Sequence, residues 1–177
     1  MMEMLRKKYI KAGFCFYFYV SIFIFSFFLS ACYSFTGGSI PPHLKTLKIE
    51  SVTDKSGFGN PEYRVDLETE LLAKFRKDNS FEISDDFGDA KLIVAISSIN
   101  EVTQTISSGE LETEKKITVT TDVEYYDNIN QKQIWKKTFS NYALFDVNNA
   151  LTARNEAVKA IIPQIAEDIM LAVVSGW

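Results

Sequence analysis

Histidine and cysteine are almost missing from this chain. His43 is the only histidine, and Cys15 and Cys32 are the only cysteines, in 177 residues. A Ser-His-Asp arrangement needs a base held between nucleophile and acid, and a histidine-rich metal site needs several imidazoles. One histidine in a stretch rich in Gly, Ser and Pro supplies neither, and it reads as a solvated linker residue. Positive charge is also short, with 19 Lys and Arg against 23 Asp and Glu, a formal net charge of −4. Nucleic acid phosphates demand a net basic footprint, so nucleic acid is excluded as a partner, while a local basic patch for an anionic lipid is not.

What is present begins with a basic segment, Arg6, Lys7, Lys8 and Lys11, followed by an apolar run from Ala12 to Leu29 dominated by phenylalanine. The run has the length of a marginal membrane span, so the residues that end it must arbitrate between a span and a removable leader. They are Leu29-Ser30-Ala31-Cys32, small residues followed at once by a cysteine. This resembles the bacterial lipobox, which implies cleavage between Ala31 and Cys32 and acylation of the Cys32 thiol and the freed amine. Two or three acyl chains hold a protein on a bilayer stably where one does not. Cys15 would leave with the leader and Cys32 would carry lipid, so no thiol remains for a disulfide, a metal or a nucleophile.

The expected organisation is a leader over residues 1–31, an acylated cysteine and flexible tether over 32–44, and one domain over 45–177. Loss of the leader takes four basic residues and Glu3 with it, so the mature 146 residues carry a formal charge of −7. That length suits a single domain with a useful core. Gly37-Gly38 and Pro41-Pro42 mark the tether.

Thr46 to Val52 reads as a first strand and Asp54 to Gly59 as a loop. Asn60-Pro61 is a helix start, with Asn as cap and Pro where a missing N–H costs nothing. Val65, Leu67, Leu71, Leu72 and Phe75 then fall on one helical face. Phe81 to Ile83 is a short strand, and Leu92 to Ile99 is a nearly continuous apolar strand of the kind found near a sheet centre. Ile117, Val119, Val123 and Tyr125 alternate with Thr118, Thr120, Asp122 and Glu124, so that strand has one wet face. Ser107 to Glu110 and Asp127 to Asn130 are turns, the latter leading to a strand with Ile134, Trp135 and Phe139. Asn148 or Asn149 caps a long helix with Leu151, Val158, Ile161, Ile162, Ile165, Ile169 and Val173 on one stripe, Pro163 lying off it. The order β-α-β-β-β-β-α predicts an α+β fold, a four- to five-stranded mainly antiparallel sheet with two helices on one face.

Chemistry-bearing clusters are few, and no cofactor or catalytic residue is expected. Gly57-Phe58-Gly59 lacks the lysine and hydroxyl of a phosphate loop, and Asp85, Asp86 and Asp89 lack the spacing of a calcium loop; both read as turns. Lys115-Lys116 and Lys136-Lys137 lie on neighbouring strands, where alternation sends one of each pair to either face. Lys137 shares its face with Trp135 and Phe139. Trp135, Lys136 and Lys137 are therefore the candidate site for a phosphorylated, acylated glycolipid, lysine meeting phosphate and ring meeting acyl chain. The plain alternative is a lysine snorkelling at the sheet edge.

The run Cys32 to Pro42 with Lys45-Thr46-Leu47, the Asn60-Pro61 start, Ala90 to Ile99, Phe139 to Ala143 and the closing Gly176-Trp177 together resemble the LptE family of lipopolysaccharide-assembly lipoproteins, in its Bacteroidetes form. The resemblance implies an outer-membrane lipoprotein facing the periplasm or a barrel lumen. It also implies partnership with the LptD β-barrel, which such a domain plugs and helps assemble, and with lipopolysaccharide, and it implies no covalent catalysis. A lipoprotein subunit of another envelope secretion or barrel-assembly complex is the alternative, and a periplasmic hydrolase is a third reading for which the residues offer no constellation.

Overall fold

A computed structural model of the chain describes residues 40–103, 114–147 and 150–175. The leader, Cys32, most of the tether, the 107–110 turn, the Asn148 and Asn149 caps and Gly176-Trp177 lie outside these residues. The described residues belong to one compact unit, Gly38–Trp177. Their elements run β1 (Thr46–Ile49), β2 (Thr53–Asp54), α1 (Glu62–Asp78), β3 (Glu82–Ile83), β4 (Ala90–Thr103), β5 (Glu114–Asp127), β6 (Lys132–Asp146) and α2 (Ala150–Ser175).

The fold is α+β, as expected, but the sheet is mixed and has six strands in the order β3-β1-β4-β5-β6, with β2 also paired to β4. β1 runs parallel to both β3 and β4, and β2 parallel to β4. The helix accounts for this: α1 carries the chain back along the sheet, so the next strand starts again in the same direction. The meander of β4, β5 and β6 is antiparallel, as alternation and turn residues predicted. The expected first strand is shorter, ending at Ile49 with the Glu50 N–H still donating to the Leu92 carbonyl, and pairing with β4 resumes at Thr53–Asp54, just past the expected strand.

Asn60 caps α1: its side-chain oxygen accepts the Glu62 N–H at 3.0 Å. Pro61 already has helical dihedrals, φ −69° and ψ −16°, so it fills the first helical position. Asn79 ends the helix in the left-handed region at φ 60°, its N–H returning to the Phe75 carbonyl. The buried stripe is Tyr63, Leu67, Leu71 and Phe75, spaced by four. Val65, expected on that face, is 51% exposed, and Tyr63 takes its place. At about 100° per residue Val65 stands roughly 140° from the centre of this stripe, so spacing by four takes in Tyr63 and leaves Val65 outside.

In α2, Val158, Ile161, Ile162, Ile165, Ile169 and Val173 are buried as predicted, and Pro163 sits inside the helix without ending it. Leu151 has the right angle but is 70% exposed, because it lies in the first turn, about 10 Å along the axis from Val158 and past the cover of the sheet. Both helices contribute to a single apolar core with the inner faces of β4 and β5, where Leu92, Val94, Ile96, Ile117, Val119 and Val123 stand. The register of β4 slips between Ile96 and Ser98. The extra residue flips the phase of alternation, so Ile96 and Ile99 both face inward and the run looks continuous in sequence.

Candidate functional site

The three residues predicted for an amphiphilic ligand do not share one surface. Trp135 and Lys137 lie on the helix-covered face of β6, while Lys136 lies on the opposite, open face. On the covered side the rings of Tyr125, Trp135 and Phe139 form a row, with centroids 5.5 and 6.3 Å apart, and the Lys137 ammonium stands 5.2 Å from the Trp135 ring. Trp135, Lys137 and Phe139 are half-buried at the sheet edge. Tyr125 is buried, and its hydroxyl has no hydrogen-bond partner. Burial, helped by the charge of Asp127, pushes that phenol well above the usual range, so it stays protonated.

Lys136 is committed elsewhere. Its ammonium donates to Glu124 at 2.7 Å on the open face, and Tyr126 donates to the same carboxylate at 3.1 Å. The Lys136 bond, then that of Tyr126, holds the Glu124 carboxyl below its ordinary range. The Glu124 partner raises Lys136 and Tyr126 in turn. Further along this face Thr138 donates to Asp122 at 2.8 Å, and Thr120 and Ser140 hydroxyls meet at 3.2 Å. The middle of the open face is thus a closed polar ladder.

Its far end differs. Val102 pairs with Lys116, and Lys116 with Leu144, placing three side chains in a row across β4, β5 and β6. The Lys116 ammonium lies 4.1 Å from the Tyr142 ring, and Val102, Tyr142 and Leu144 are all exposed. Cation, ring and aliphatic groups meet here more openly than around Trp135. Sequence reasoning missed this cluster because only the strand register brings Val102, Lys116 and Leu144 together.

His43 is not a solvated linker residue. Its Nε2 lies 2.6 Å from the Asp127 carboxylate, and the Asn130 side-chain amide lies 3.1 Å from the same nitrogen. Asp127 also accepts the Asn130 N–H at 2.9 Å and the Asn130 side-chain amide at 2.8 Å. Burial pushes the Asp127 carboxyl up, but the bonds from Asn130 and His43 outweigh it and hold the group down to about 2. Asp89 is likewise structural rather than a solvated turn: it accepts the Lys45 and Thr46 N–H groups, which lower its pKa. Leu44 is buried and Ile40 packs on the core, so the packed part takes in residues 40–44, which were expected to belong to the tether. The reason is chemical: Pro41-Pro42 looked like spacer, but Leu44 joins the apolar core and His43 bonds to Asp127 at the end of β5.

Among the described residues no group of three or more His, Cys, Asp or Glu side chains is placed to hold a metal ion. None of the described helices is long and apolar enough to cross a membrane.

The family model LptE, described as lipopolysaccharide-assembly, matches residues 44–173. A minor lipoprotein from Acinetobacter baumannii is similar at 19% identity and a TM-score of 0.51, over 73% of this chain and 92% of that one. A hypothetical protein from Chlamydia trachomatis is similar at 9% identity and 0.53, over 73% and 95%. A protein from Xanthomonas campestris is similar at 12% identity and 0.53, over 77% and 90%. These three likenesses concern the fold. No curated protein matches the chain.

Proposed function

The chain belongs to the LptE family, whose model spans nearly all of the packed domain, and from that membership we propose that it is a lipopolysaccharide-assembly lipoprotein of the outer membrane. In this reading residues 1–31 are removed, Cys32 carries the acyl chains, and the domain from Ile40 onward faces the periplasm or a barrel lumen. It plugs an LptD-type β-barrel, supports that barrel's assembly and assists delivery of lipopolysaccharide to the outer leaflet, without covalent chemistry of its own. Trp135 and Lys137, side by side on one face, are proposed to contact lipopolysaccharide; Lys136, bound to Glu124 on the other, supports the sheet beside them.

The family match over residues 44–173 carries this proposal. The test is capture of the tagged full chain from gently solubilised outer membranes, followed by mass spectrometry. A large β-barrel of the lipopolysaccharide-export type should co-purify in stoichiometric amount, and its absence sinks the reading. A different envelope barrel or secretion complex in its place favours the lipoprotein-subunit alternative. Cys32→Ala should move the protein from the membrane to the soluble periplasmic fraction. Persistent sedimentation with membranes would instead indicate an uncleaved apolar segment.

A further inference from the structure

Among the exposed large apolar side chains, Phe87 at 69% and Ile129 at 52% stand apart from the rest by position. Phe87 lies in the turn between β3 and β4, and Ile129 at the tip of the turn between β5 and β6. Both turns are at one end of the sheet, where Ala90 pairs with Leu47 and with Asp127. Asn128 ties the turns together: its N–H donates to the Asp89 carbonyl and its side chain to the Gly88 carbonyl, both at 2.8 Å. Two apolar tips are thereby carried on a rigid, paired support, an arrangement without any packing purpose inside the domain.

The same end receives the chain from Cys32. The bond of His43 to Asp127 and the capping of Lys45 and Thr46 by Asp89 fasten the entering segment to these two turns. Between Cys32 and His43 the chain reaches at most about 37 Å, and only when fully extended. From the latch, the Val102 cluster lies up the length of β4, on the order of 40 Å away. An acyl group on Cys32 therefore favours the Phe87 and Ile129 end at the bilayer, whereas the far cluster could approach it only with the tether stretched straight along the sheet. At the near end Glu50, Glu82, Asp85, Asp86, Asp89 and Asp127 outnumber Lys45, Lys48, Lys91 and Lys132, so no surplus of positive charge singles out anionic lipid. Apolar tips without surplus positive charge suit the interface of a zwitterionic bilayer.

We infer that the paired turns bearing Phe87 and Ile129 form a membrane-contacting edge that inserts into the lipid interface beside the Cys32 anchor and sets the orientation of the domain. This rests on the anchor reading above. The acyl chains supply most of the affinity, and the two tips remove rotational freedom about the tether.

The acylated full chain is bound to phosphatidylcholine vesicles containing a nitroxide-labelled lipid, with bimane placed on Phe87→Cys, Ile129→Cys, Val102→Cys or Leu171→Cys in turn. Quenching should be several-fold stronger at 87 and 129 than at 102 and 171, and nearly unchanged by added salt. Phe87→Ser should weaken the quenching of a label at 129. Equal quenching at all four positions, or stronger quenching at 102, overturns the inference while leaving the anchor intact. A chain that does not float with the vesicles overturns the anchor and this inference together.

Discussion

Gly88 shows how narrowly one residue is constrained by a crossing of chain over chain. The turn after β3 passes over β1, and a Cβ on Gly88 would lie 2.5 Å from the Lys48 nitrogen and 2.7 Å from the Ala90 carbonyl oxygen. Both are backbone atoms held in the sheet, so neither can swing aside. Gly88→Ala should cost about 2 kcal/mol or more by overpacking, measured by urea denaturation. Asp127 provides a second prediction, through pH. Its carboxyl is held at about 2 against an ordinary 3.8, so folding favours the ionised form. That contribution is complete above the unfolded value and is lost as pH falls through the folded one, so the denaturation midpoint should drop between about pH 4 and pH 2. Asp127→Asn should flatten this part of the profile, and His43→Ala should shift the fall toward higher pH by removing one of the bonds that hold the carboxylate.

At the scale of elements, α1 buries a narrower stripe than the wide apolar face expected of it. Leu71 is fully buried and Val65 is half exposed, although both were expected on one apolar face. Leu71→Ala should destabilise by about 2–5 kcal/mol, because it leaves a cavity between α1, α2 and the sheet. Val65→Ala should stay within roughly 0.5 kcal/mol, as for other exposed positions. Thermal unfolding of the two variants checks the contrast, and equal losses would contradict the placement of α1. In β6 the same distinction concerns function: Trp135 and Lys137 meet, whereas Lys136 points away and is bound to Glu124.

For the whole molecule, one core joins both helices to the sheet, and the sequence from Cys32 onward contains a single cysteine. Burial must therefore supply the stability without a covalent staple. The fluorescence and far-ultraviolet circular dichroism of the chain from Cys32 onward should lose their native signals at the same denaturant concentration. A reducing agent should leave that midpoint unchanged. Separate transitions, or a shift on reduction, would show that the domain is not a single disulfide-free unit.

Composition and pattern alone determined the element types, because alternation by two and stripes at 3.6 are local consequences of backbone geometry. β5 with its wet face, the Asn60-Pro61 start of α1 and the long stripe of α2 all follow from such spacing. The likeness of Leu29-Ser30-Ala31-Cys32 to a lipobox and the family resemblance are likewise written in short runs of residues. Tertiary structure alone decided the parallel pairing of β1, the exposure of Leu151, the meeting of Val102, Lys116 and Leu144, and the capture of His43 by Asp127. Each of these depends on which surfaces distant segments present to one another, and a contact between residues 84 positions apart leaves no periodic trace in the chain.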